Sequence, residues 1–125
     1  FIQSGTVVQI KSGDTTTTKT ADGAEVTNLP LVVLVNEKTA GSAEVLASAL
    51  QDSQRATVVG VQTQGKGSVQ VMQPLSFGGA LRYTAATYLS PSGRAIDGVG
   101  VTPDVVIANT ERQVPIALEI AASNR

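Results

Sequence analysis

Residues 31–60 read LVVLVNEKTAGSAEVLASALQDSQRATVVG, and this stretch decides the fold. Leu31 to Val35 is a continuous apolar run after Pro30. Apolarity that does not alternate predicts a strand covered on both faces, as in a parallel sheet, so a buried central strand is expected here. Asn36 to Gly41 then supplies polar and small residues for a loop. From Ser42 to Gln51 the pattern changes to a helical period. Ala43, Leu46, Ala47 and Leu50 recur at i, i+3, i+4 and i+7 and predict one apolar stripe, in a segment whose alanines favour helix. Thr57 to Gly60 is a second short apolar strand, so residues 31–60 form a βαβ unit.

Outward from this unit the signals are shorter. Thr6 to Lys11 (TVVQIK) predicts a strand, and the polar Ser12 to Gly23 predicts an exposed hairpin or flexible loop. Ser68 to Met72 alternates like a strand, Phe77-Gly78-Gly79 is a tight turn, and Ala80 to Tyr88 is a longer strand. Asp104 to Ala108 predicts a last strand. Gln113 to Ala122 predicts a terminal helix with Val114, Leu118 and Ala121 on one side.

Composition narrows the chemistry. The 125 residues are 42% hydrophobic and 15% charged, enough apolar material for a core in one modest domain. Aromatics are scarce, with two Phe, two Tyr and no Trp, so the core must be Val, Leu, Ile and Ala. The net charge of −1 and the lack of a basic run argue against nucleic acid as a partner. No apolar stretch reaches the length of a membrane-spanning helix. Cysteine and histidine are absent, which removes disulfides, zinc–thiolate sites, and any mechanism with a histidine base. A general base at neutral pH must then be a lysine or a carboxyl group with a shifted pKa. No cofactor or metal site is indicated. The chain opens at Phe1, without a signal-peptide pattern, and is expected to be a piece of a larger protein.

Three segments are candidates for chemistry: Asn36 to Glu44 (NEKTAGSAE), Gly60 to Gln70 (GVQTQGKGSVQ) and Tyr88 to Asp104 (YLSPSGRAIDGVGVTPD). The first puts backbone N–H groups and a serine hydroxyl at a helix N-terminus, where developing negative charge is stabilised. Its plainer reading is that Ser42 caps the helix, with Glu44 favourable in the first turn. The second fits G-x-x-x-x-G-K after a strand, which suggests phosphate binding. The next residue is Gly67, however, where a magnesium-binding hydroxyl is required, and the segment continues as a strand and not a helix. The plainer readings of Lys66 and Gln70 are a solvated lysine in a glycine turn and a surface strand residue.

Taken together, the three segments resemble the C-terminal processing (tail-specific) serine peptidases of the S41 type. Asn36, Thr39, Ala40 and Glu44 match that family's serine loop. Leu50-Gln51-Asp52, Arg55-Ala56, Val59-Gly60, Thr63, Gly65-Lys66-Gly67 and Val69-Gln70 match the stretch that follows. Tyr88, Pro91-Ser92-Gly93-Arg94, Ile96, Gly98, Gly100 and Pro103-Asp104 match the last motif. The likeness runs from about residue 1 to about residue 108, without gaps through residues 31–104, and the motifs are jointly specific.

The resemblance implies an α/β, crotonase/ClpP-like core with parallel strands, the βαβ unit and hairpins. Residues 1–125 would be part of the catalytic domain, lacking the upstream PDZ domain and the upstream glycine-rich oxyanion segment. It implies a Ser-Lys mechanism on protein or peptide C-termini, in a possible oligomer outside the cytoplasm. A serine attacks the scissile carbonyl, and a lysine made neutral by burial takes its proton. Lys66 maps onto that lysine, and Gln70 onto the glutamine that positions it. The serine loop departs from the pattern: the nucleophile position is Gly41, followed by Ser42 and Ala43. Ser42 stands one residue closer to Lys66 than the family serine stands to its lysine, and one residue on a helix swings a side chain by about 100°. Three readings stay open: Ser42 acts through a local shift, Gly41 replaces an original serine by engineering, or the chain is a non-catalytic, peptide-binding relative.

Overall fold

A computed structural model describes residues 1–124. The chain forms β1 (Thr6–Ser12), β2 (Thr15–Thr20), β3 (Leu31–Val35), α1 (Ser42–Asp52), β4 (Ala56–Gly60), β5 (Ser68–Pro74), β6 (Ala80–Leu89), β7 (Val105–Val106) and α2 (Thr110–Ser123). The strands make two sheets, an antiparallel one in the order β2-β1-β6-β5 and a parallel one in the order β3-β4-β7. The expected α/β architecture, the βαβ unit and the β5–β6 hairpin are all present.

The parallel sheet carries the core. β3 and β4 pair in register from Leu31↔Ala56 to Val35↔Gly60. Val35, Ala47, Val58 and Val101 are packed together, with Val33 against them. At the C-terminal end of this pair the backbones come so close that a Cβ on Gly60 would overlap the Val35 carbonyl oxygen. Gly60 also has φ 140°, which other residues rarely adopt.

β3 is not the central strand that its apolar run predicts. Among the described residues β4 is central and β3 lies at the edge, with Leu34 42% exposed. An apolar run reports what a strand can bury, not where it lies in the strand order. The two helical stripes are also displaced. α1 buries Glu44, Ala47, Ser48, Ala49 and Leu50, while Ala43 and Leu46 face outward. α2 packs against β3 and β4 through the face of Gln113 and Ala117, leaving Val114 54% and Leu118 65% exposed. Small residues let a helix approach its sheet closely, and here that need outranks raw hydrophobicity.

The polar 12–23 segment is a hairpin. Ser12 faces Thr15 across a two-residue turn in which Gly13 takes φ 57°, and every residue of β2 is exposed. β7 is two residues long, shorter than expected. α2 starts at Thr110, three residues earlier than its pattern suggests, because the Asn109 side chain accepts the Glu111 N–H at 3.0 Å.

Two connections run between the sheets. Residues 61–67 lead from β4 to β5, and residues 90–104 lead from β6 to β7. They lie side by side, and both belong to the stretches singled out in the sequence.

Candidate active site

The turn into α1 begins at Gly41, which occupies the N-cap with φ 61° and ψ −125°. A Cβ built there meets nothing within 4 Å. The position is therefore sterically open but conformationally strained for any other residue. Ser42 is the first helical residue and is exposed. Its hydroxyl does not cap the helix, contrary to the plainer reading, because the cap position belongs to Gly41. Among the described residues the Ala43, Glu44 and Val45 amides each have a backbone acceptor, and the Ser42 N–H has none.

Glu44 holds the region together, and the sequence reading missed this role. Its side chain is 0% exposed, yet every polar atom of it is engaged. Oε2 accepts the Gly41 N–H at 3.0 Å and the Lys66 N–H at 2.9 Å. Oε1 accepts the Thr63 hydroxyl at 2.5 Å and the Gly65 N–H at 2.6 Å. One buried carboxyl group thus ties the start of α1 to the turn that carries Lys66. Four donors offset the cost of burying it. The available signal was its place in the serine-loop motif, since the predicted apolar stripe of α1 leaves Glu44 out.

The lysine turn is braced from its other side. Thr63 donates its backbone N–H to the Val101 carbonyl at 3.2 Å, and its hydroxyl accepts the Val101 N–H at 2.6 Å. Gly98 N–H donates to the Gly65 carbonyl at 2.8 Å, and Gln64 N–H to the Thr39 carbonyl at 2.9 Å. Gly67 and Gly100 permit this approach. A Cβ on Gly67 would overlap the Ile96–Asp97 backbone, and one on Gly100 would overlap the Thr63 backbone. The glycines around Lys66 thus serve backbone-to-backbone packing.

The Lys66 side chain is exposed, and its ammonium forms no hydrogen bond or ion pair among the described residues. The burial that the sequence reading required is not supplied by these residues. Gln70 is also exposed. Its amide donates to the Ser68 hydroxyl at 3.0 Å and the Thr84 hydroxyl at 2.7 Å, and not to Lys66. The structure therefore brings Gly41, Ser42 and the Lys66 backbone together through Glu44, and leaves Gln70 two residues into β5 with its amide on neighbouring hydroxyls. Ala43, expected beside the nucleophile, is an exposed residue of the first helical turn. A strand, not a helix, follows Lys66, which removes the phosphate-loop reading.

A second polar cluster fixes the far end of α1. Burial alone would raise the Asp52 carboxyl group. The Ser92 N–H, the Ser90 and Ser92 hydroxyls and the Arg94 guanidinium outweigh it and hold the group below its ordinary value of 3.8. Arg94 forms an ion pair with Asp52 and donates to Gln51 Oε1 at 3.2 Å. Gln51 in turn donates to Asp104 at 3.0 Å, and Asp104 accepts the Val58 N–H at 2.8 Å. Leu50-Gln51-Asp52, Ser92 to Arg94 and Asp104 are therefore one structural clamp. Beside it lies a cleft of about 370 Å³ lined by Ser48, Ile96, Val99 and Val101 among others, which does not include Gly41, Ser42 or Lys66.

The chain is similar to known proteins. Residues 1–107 match the model of a family described as "Peptidase family S41". A carboxy-terminal-processing protease of Bartonella bacilliformis is 53% identical over 78 residues, covering 62% of this chain and 18% of that protein. A chloroplastic carboxyl-terminal-processing peptidase of Arabidopsis thaliana is 50% identical over 95 residues, covering 76% of this chain and 18% of that protein. A solved photosystem II D1 C-terminal processing protease superposes with a TM-score of 0.79 at 41% identity, covering 85% of this chain and 28% of that one. The chain spans about a fifth of the length of the curated relatives it matches.

Proposed function

Because this chain belongs to peptidase family S41, we propose that it is part of the catalytic domain of a serine endopeptidase that processes protein C-termini, with Lys66 as general base and Ser42 as nucleophile. The observation that carries the proposal is the Glu44 bridge, which holds the Gly41–Ser42 turn and the Lys66 turn to one carboxyl group. In the reaction Lys66 Nζ takes the proton of Ser42 Oγ as that oxygen attacks the scissile carbonyl. The Ser42 N–H, at the positive end of α1, faces the oxygen that gains charge. Lys66 then returns the proton to the leaving amine, and water repeats the sequence on the acyl-enzyme. The remaining protein shields Lys66 from solvent, which the described residues leave undone, and Gln70 reorients toward it. The substrates are protein C-termini, and the compartment is extracytoplasmic or lumenal, in line with the chloroplastic relatives.

A second reading is favoured by one residue: Gly41 carries no hydroxyl at the cap where the family pattern has its nucleophile. The same scaffold then binds protein segments without cutting them. Two variants of the full-length protein separate the readings. Under the first, the wild type hydrolyses an unfolded protein such as β-casein, and Ser42→Ala abolishes it. Under the second, the wild type is inert and Gly41→Ser creates activity. Full activity in Ser42→Ala overturns the assignment of Ser42, and inertness of both the wild type and Gly41→Ser overturns the peptidase reading.

A further inference from the structure

β5 begins two residues after Lys66 and is the last strand of its sheet; among the described residues no strand lies on its far side. The hydrogen-bond register defines which of its backbone groups are free. Ser68 pairs with Thr87, and the Tyr88 N–H donates to the Gly67 carbonyl at 2.6 Å, one residue outside that pair. At the other end Pro74 pairs with Ala80, and the Leu75 N–H donates to the Gly79 carbonyl at 2.8 Å, again just outside the pair. In an antiparallel ladder this pattern marks Ser68 and Pro74 as members of non-hydrogen-bonded pairs, whose N–H and C=O groups point away from the partner. Directions alternate along a strand, so Ser68, Gln70 and Met72 all turn their N–H and C=O groups outward, and Pro74, with no N–H, closes the series.

We infer that this edge of β5 binds an extended segment of a protein substrate as an added β-strand, a deepening that rests on the peptide-binding reading above. The position selects the occupant. The outward backbone groups start at Ser68, beside the lysine turn, so a chain paired there is led to the Gly41–Ser42 turn in the extended form that peptide-bond cleavage requires. The sequence of the edge fits a transient guest. The free edge of β3 is a five-residue apolar run, suited to a permanent neighbour. β5 offers three addressable residues and then a proline, which limits pairing to a short stretch. Side chains of the added strand fall beside those of β5 itself: Gln70 and Met72, the latter 62% exposed, on one face, and the half-buried Val69 and Val71 on the other. The guest is therefore a segment free of proline, with apolar residues at the alternating positions that share a face with Val69 and Val71.

Amide hydrogen exchange in the full-length protein tests this, with a labelled Val/Thr/Ala-rich peptide as probe and anisotropy reporting its binding. The Val69, Val71 and Gln73 amides, bonded to β6, exchange slowly in the free protein. Ser68, Gln70 and Met72 exchange fast, and the inference predicts that they slow at least tenfold on peptide binding. Met72→Pro removes one outward N–H without touching the β5–β6 ladder and is expected to weaken binding by about tenfold, while Met72→Ala, which keeps the N–H, stays within about twofold. Peptide binding that leaves the Ser68, Gln70 and Met72 amides fast overturns the edge and spares the peptide-binding reading. Absence of any binding overturns both.

Discussion

The buried Glu44 carboxyl group accepts the backbone N–H of Lys66 at 2.9 Å across 22 positions of sequence. The same oxygen accepts the Gly41 N–H, so the helix start and the lysine turn cannot move independently. Glu44→Gln preserves size but replaces one acceptor by an NH2 group, leaving two buried donors facing it. We expect a loss of about 2–5 kcal/mol in urea unfolding. A Gln variant as stable as the wild type would remove Glu44 from its central place.

The glycines of the site differ in what they tolerate. Gly67→Ala puts a Cβ into the Ile96–Asp97 backbone and is expected to cost at least about 3 kcal/mol. Gly41→Ala meets open space and carries only the strain of φ 61°, about 1–2 kcal/mol. Thermal unfolding of the two variants side by side checks the order, and equal losses would contradict it.

Helix α1 offers a third comparison. Leu50→Ala empties a buried position and should cost about 2–4 kcal/mol, while Leu46→Ala, on the outward face, should stay within about 1 kcal/mol. The sequence pattern treats the two leucines alike, and unfolding curves with similar losses would restore that equivalence.

This contrast shows what was legible in the sequence. The βαβ unit, the helix start at Ser42 and the hairpins follow from local periodicity and turn residues, which act within a few residues. Which flank of a helix is covered depends on the partner. α1 turns Glu44 and its alanines inward because the carboxyl group has four donors waiting on loops 61–67 and the cap. α2 likewise shows Val114 and Leu118 to solvent and buries Gln113, whose amide donates to the Ile107 carbonyl at 2.8 Å. The motif Leu50-Gln51-Asp52 was recognisable as a string, but its clamp on Ser92, Arg94 and Asp104 was not. Those contacts span about 40 residues or more of sequence, and no periodicity reports them.

Asp52 gives the clamp a pH signature. Its carboxyl group is held below 3.8 in the folded chain, so it adds stability above the ordinary carboxylate range, and that contribution is lost as pH falls through the depressed folded value. Asp52→Asn should therefore be less stable than the wild type at neutral pH, and the gap should shrink below about pH 4. Unfolding midpoints at neutral and acid pH measure it, and a gap that stays constant would show that the charge of Asp52 contributes nothing.

The proposed base can be tested without disturbing the scaffold. Lys66 reaches Glu44 through its backbone N–H, which any side chain leaves in place, and its own side chain is exposed. Lys66→Met in the full-length protein, compared with the wild type for hydrolysis of unfolded β-casein, addresses the peptidase reading most directly. The account predicts a Met variant no less stable than the wild type, because a lysine that the remaining protein shields from solvent costs stability when charged, and a rate lower by about a thousandfold or more. Undiminished hydrolysis in the folded Met variant would contradict it.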